Sequence, residues 1–118
     1  MINRPSITKE HSFTGHKDAI YALCGLNEYE FVSGGADGHI IKWDTNGYAA
    51  GNVVAKVSTS VYALSYDPLR DHLFIGQNFD GLHVIDPVAK REITSLQMTK
   101  AHIFDIQFDD DFLYIATG

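Results

Sequence analysis

His16, Ser33 and Asp37 bring together, within one short stretch, the residue types of a hydrolytic relay: a base, a hydroxyl it can activate and a carboxylate to orient it. Their setting argues for another use. Ser33 sits inside the strand-like run FVSG, and no Gly-x-Ser-x-Gly elbow lifts its hydroxyl out of a sheet. Trp43 closes the next apolar run, IIKWD. An indole N–H only donates, a carboxylate only accepts, and a serine and a histidine do both, so these four groups can satisfy one another when buried. Each such bond contributes about 1 kcal/mol net, while loss of one partner costs roughly 1–3 kcal/mol because the others stay buried. No catalytic residue is assigned.

Other chemistry is thinner. His11, His39, His72, His83 and His102 show neither His-x-x-x-His nor cysteine-rich spacing, so they read as strand or loop residues, and neither a metal nor a cofactor is expected. Asp109, Asp110 and Asp111 lack the alternating ligand spacing of a calcium loop and fit a solvated turn. Cys24, the lone cysteine, has no basic neighbour in sequence to lower its pKa and reads as packing. Nine basic against fifteen acidic side chains give a net charge of −6, which argues against nucleic acid as a partner. A single cysteine, no Asn-x-Ser/Thr acceptor, no apolar leader and no run near the roughly 20 residues needed to span a bilayer point to a cytoplasmic protein with no membrane partner.

The elements that must hold these residues come from a repeat. Gly34, Gly76 and Gly118 close FVSG, LFIG and IATG at a constant spacing of 42, and IYALCGL, VYALSYD and IFDIQFD recur upstream at 41 and 42. Asp37-Gly38 and Asp80-Gly81 are 43 apart, so the second turn is one residue longer. A unit of this size cannot cover its own apolar face and must stack on its copies. Short Val-, Ile-, Tyr- and Phe-rich runs predict strands near 19–25, 29–33, 39–43 and 52–57, then 61–66, 72–76, 81–85 and 91–97, then 103–108 and 112–117. Turns fall at Asn27-Glu28, Ala36-Asp37-Gly38, Thr45-Asn46-Gly47, Asp67-Pro68, Asp80-Gly81 and Asp86-Pro87. Residues 6–13 are long enough for one leading strand that serves another blade. Ile20, Ala22 and Cys24, like Val61, Ala63 and Ser65, are read as one small-residue face crowded toward a central axis.

Gly15-His16, Ser33-Gly34, Asp37-Gly38 and Trp43-Asp44 together resemble the WD-repeat β-propeller family. The resemblance implies an all-β fold of four-stranded antiparallel blades in an incomplete ring of about two and a half blades: leading strand 6–13, blade 14–57, blade 58–98 and partial blade 99–118. It implies a hydrogen-bonded tetrad of His16, Ser33, Asp37 and Trp43. The second unit departs from the pattern, with Ile75 and Ile85 at the serine and tryptophan positions; Thr117 keeps a hydroxyl in the third.

The function implied is a non-catalytic scaffold for protein–protein interaction. The family's usual docking face carries the loop before each inner strand and the turn between the second and third strands, here Lys17, Asp18, Asn78, Phe79, Lys100 and His102. Phe79 is the expected anchor, either projecting outward or folded back on its own blade. A second reading is purely structural. Eleven strands fall short of the sixteen of four blades, so the chain is a fragment of a larger propeller or is completed by self-association through open edges. An enzyme with a site in the propeller channel ranks last, because the inner-strand edges carry Ala, Leu, Cys and Ser.

Overall fold

The computed structural model describes residues 4–47, 50–79, 81–97 and 100–118. Among the described residues ten strands run in chain order: β1 (Ile20–Gly25), β2 (Glu30–Gly35), β3 (His39–Asp44), β4 (Asn52–Lys56), β5 (Val61–Asp67), β6 (His72–Gln77), β7 (Leu82–Asp86), β8 (Arg91–Leu96), β9 (Ile103–Asp109) and β10 (Phe112–Thr117). They form two four-stranded antiparallel sheets, β1-β2-β3-β4 and β5-β6-β7-β8, and a hairpin of β9 and β10. Each sheet follows chain order from inner to outer strand, as hairpin connections between consecutive strands dictate.

The turns are built by the residues that the sequence marks for them. Asn27 Oδ1 accepts the N–H groups of Tyr29 and Glu30, both at 2.9 Å. Asp86 Oδ1 accepts those of Val88 and Ala89, at 2.9 and 3.0 Å. Buried Asp67 takes Leu69 N at 3.0 Å and Arg70 Nη1 at 2.8 Å. Gly38 and Gly81 share φ +75°, and a Cβ on Gly38 would stand 2.5 Å from the Val57 carbonyl oxygen, so no side chain fits there. Asp80, the first residue of the second such turn, lies outside the described residues.

The sheets stack through glycine. A Cβ on Gly34 would meet Val61 Cγ1 at 2.8 Å and Leu64 Cδ1 at 3.4 Å, both on the second blade. A Cβ on Gly76 would meet Ile103 Cγ2 at 2.6 Å and Ile106 Cδ1 at 3.1 Å, on the third. The same bare backbone patch therefore receives the same two aliphatic side chains of the following blade, twice. Around the first contact gather Val32, Ile40, Val54, Leu73, Ile75 and Ile85; around the second, Ala63, Leu82 and Val84.

Two expectations change. The face assigned to Val61, Ala63 and Ser65 is two faces, because a register shift between Val61 and Ala63 turns Val61 toward the first blade and Ala63 toward the third. An equivalent shift separates Ile20 from Ala22, so the small residues face the next blade rather than a common axis. Residues 6–13 do not form the leading strand. Among the described residues they enter no ladder. The segment is held by side chains instead: Phe13 packs edge-on against Phe31 at 5.2 Å and Trp43 at 5.6 Å between ring centroids.

Candidate functional site

The quartet is assembled. Ser33 comes from β2 and Trp43 from β3, Asp37 from the turn joining them, and His16 from the segment before β1. Trp43 Nε1–H donates to Ser33 Oγ at 2.7 Å, Ser33 Oγ lies 2.6 Å from His16 Nε2, and His16 Nδ1 lies 2.9 Å from Asp37 Oδ2. Since tryptophan only donates and a carboxylate only accepts, the chain has one consistent direction: indole to hydroxyl, hydroxyl to Nε2, Nδ1–H to carboxylate. Asp37 also accepts Lys17 N at 3.2 Å and His39 N at 3.1 Å. Burial works to raise the Asp37 pKa, but the hydrogen bonds from His16 and from the two backbone N–H groups outweigh it and hold the carboxyl down at about 2.

Histidine placed between serine and aspartate through the appropriate nitrogens has the connectivity of a catalytic relay, yet the nucleophile is sealed. Ser33 is 1% exposed, and its oxygen is already engaged by the indole, which packs beneath Gly15 and Gly51. A substrate carbonyl has no approach to a hydroxyl so enclosed. What the arrangement can do is fasten the segment before β1 to the β2–β3 turn.

The second blade replaces this network with carbon. Ile75 and Ile85 are buried at 0% and 5% exposure, and removing the polar demand with the supply leaves nothing unsatisfied at those two positions.

The positions expected to dock partners share one end of the blades, where the start of each inner strand meets the end of the second: Ala36 N bonds Ala19 O, and Asn78 N bonds Ser60 O. Lys17, Asp18 and Lys100 are exposed there. Asp18 is turned back on Ala19 N at 2.8 Å, and half-buried Asn78 has an Oδ1 with no hydrogen-bond partner among the described residues. Phe79 is exposed and has a ring contact with the third blade. With φ +69° and 56% of its surface exposed, it leans across to His102 of the third blade, 4.6 Å between ring centroids.

That contact belongs to a longer feature. Tyr21, Tyr62 and Phe104 occupy matching positions on β1, β5 and β9. Tyr21 meets Tyr62 at 5.2 Å, Tyr62 meets Phe104 at 5.7 Å and His102 at 5.6 Å, and His102 stacks on Phe104 at 5.4 Å. Five rings thus form a continuous row, with Tyr21, Phe79 and Phe104 each about half exposed. The signal for three of them was present in the repeat, as an aromatic second residue in IYALCGL, VYALSYD and IFDIQFD.

Residues 7–44 match the sequence model of the WD40 family (WD domain, G-beta repeat), and the sheets have the fold of WD40 β-propeller blades, with no closed ring among the described residues. The WD40 β-propeller domain of Doa1 superposes with a TM-score of 0.82 at 15% identity, over 89% of this chain and 36% of that one. The ubiquitin fusion degradation protein 3 homolog of Caenorhabditis elegans is 39% identical over 54 residues, 46% of this chain and 6% of that protein. The chain thus spans only part of either. Proteins of this fold commonly serve protein–protein interaction without chemistry of their own.

Proposed function

We propose that this chain is a non-catalytic WD-repeat scaffold whose protein-binding surface is the aromatic row at the inner-strand ends, flanked by Lys17, Asp18, Asn78 and Lys100. The observation that carries the reading is the continuity of Tyr21, Tyr62, His102, Phe104 and Phe79 across three stacked blades, with three of the rings half exposed. Rigid aromatic rings lose little conformational freedom on binding and dominate contact energies. The relative's name ties that protein to degradation of ubiquitin fusions, which makes a ubiquitin fusion the first partner to test. Calorimetric titration of a linear ubiquitin fusion into the chain is expected to show binding that weakens at least about tenfold in the Tyr62→Ala/Phe79→Ala double variant. Equal affinity for wild type and variant removes the row from the site. The net charge of −6 supports a protein rather than a nucleic acid as partner, and the unpaired Cys24 supports a cytoplasmic location.

A second, structural reading rests on the first blade's outer face. Ile20 and Leu23 are 49% and 67% exposed, whereas their counterparts Val61, Leu64, Ile103 and Ile106 are at most 7% exposed because each pair packs on the preceding blade. Ile20 and Leu23 are shaped for a further glycine patch, from a second copy or from additional repeats. Sedimentation at rising concentration tests the second copy: wild type associates and Leu23→Glu remains monomeric, while identical behaviour of the two excludes it.

A further inference from the structure

At the opposite edge of the sheets, away from the aromatic row, the outer strands of the first two blades leave a cleft of about 390 Å³ between them. That volume lies within the roughly 300–1,000 Å³ of ordinary ligand sites. Its floor is aliphatic, with Val54 and Ile85 nearly fully buried and Val57 half-buried beside them. Its rim is basic: Lys56 on the first blade, Lys90 and Arg91 on the second, all three exposed. In a chain carrying nine basic and fifteen acidic side chains, three of the nine converge here.

The single carboxylate among the described lining residues, Glu92, is occupied by His83 Nδ1 at 2.5 Å. Among the described residues, no carboxylate pairs with Lys56 or Lys90. Lys90 Nζ donates to Asn52 Oδ1 at 2.9 Å, which places the ammonium across the gap between blades and leaves it donors to spare. β4 and β8, which bound the cleft, are the outermost strands of their sheets among the described residues.

We propose that this interblade cleft binds a short, extended acidic peptide, seating an aliphatic side chain on Val54 and Ile85 while its carboxylates meet Lys56, Lys90 and Arg91. Cations on both walls and an apolar floor suit a peptide that alternates acidic and aliphatic residues. A lone phosphate has no use for the floor. The site is independent of the aromatic row and stands whether or not that row binds a protein.

The test is fluorescence polarisation with a fluorescein-labelled hexapeptide, Glu-Asp-Leu-Glu-Leu-Asp. Wild type is expected to bind it, with affinity falling as salt rises, and Lys56→Glu/Arg91→Glu to bind roughly tenfold more weakly or worse. Should that variant melt at a lower temperature than wild type, Lys56→Gln/Arg91→Gln reads the same loss without introducing new charge. Serine in place of both leucines is expected to abolish saturation. No binding of the acidic peptide overturns the proposal, as does equal binding of its lysine counterpart or unchanged affinity in the variants. Displacement by inorganic phosphate alone, equally effective for leucine and serine peptides, replaces the peptide site with a simple anion site.

Discussion

The first and second blades share a backbone and a stacking geometry but fill one position in opposite ways. In the first, Trp43, Ser33, His16 and Asp37 form a directed chain of hydrogen bonds beneath Phe13 and Gly15. In the second, Ile75 and Ile85 fill the same places with hydrocarbon. Both solutions obey one rule: a buried polar group is either fully matched or absent. The polar version adds something hydrocarbon cannot, since it fastens a segment from outside the sheet to a turn within it. Removing one member should therefore be worse in the first blade than trimming one in the second.

The largest effect is expected at Trp43→Ala, which takes away both the indole donor and the surface under Gly15, Gly51 and Phe13; a loss of about 3–5 kcal/mol in urea unfolding is predicted. Ser33→Ala removes one atom but orphans the indole N–H and His16 Nε2 together, and should cost about 3 kcal/mol. Its partner in the comparison, Ile75→Val, should cost only about 1 kcal/mol. Equal losses for Ser33→Ala and Ile75→Val would break the contrast between the blades.

Asp37 sharpens it through pH. Its folded pKa of about 2 lies below the ordinary aspartate value of 3.8, so its contribution is complete above roughly pH 4 and disappears as pH falls toward 2. Asp37→Asn should be less stable than wild type by about 2 kcal/mol at neutral pH, with the gap closing in acid. A gap that persists unchanged at pH 2 would show that the carboxylate's charge is not what matters.

Much of this was legible in the sequence because a repeat reports itself several times. The glycine spacing and the apolar runs locate the strands to within a residue or two, and the His16, Ser33, Asp37 and Trp43 pattern names a network that the structure closes. What was hidden depended on neighbours. The faces of β5 were misassigned because a one-residue register shift reverses alternation without leaving a mark in hydrophobicity. Residues 6–13 look like a strand, but a strand is made by the edge it joins, and among the described residues this segment joins none. Phe79 was singled out for its turn, yet the ring it meets, His102, belongs to another blade. The aromatic row follows from the same repeat but becomes visible only once three inner strands stand side by side.

The blades are held together above all by stacking through bare glycine, and a double-mutant cycle across the first blade junction measures that stacking directly. Gly34→Ala alone should destabilise by roughly 1–3 kcal/mol, because its Cβ would press on Val61 Cγ1 at 2.8 Å. With Val61→Ala already in place that methyl is gone, so adding Gly34→Ala should cost at least about 1 kcal/mol less than it does in wild type. If instead the two substitutions add to within about 0.5 kcal/mol, Val61 does not sit on Gly34, and the stacked-blade description is wrong where it matters most.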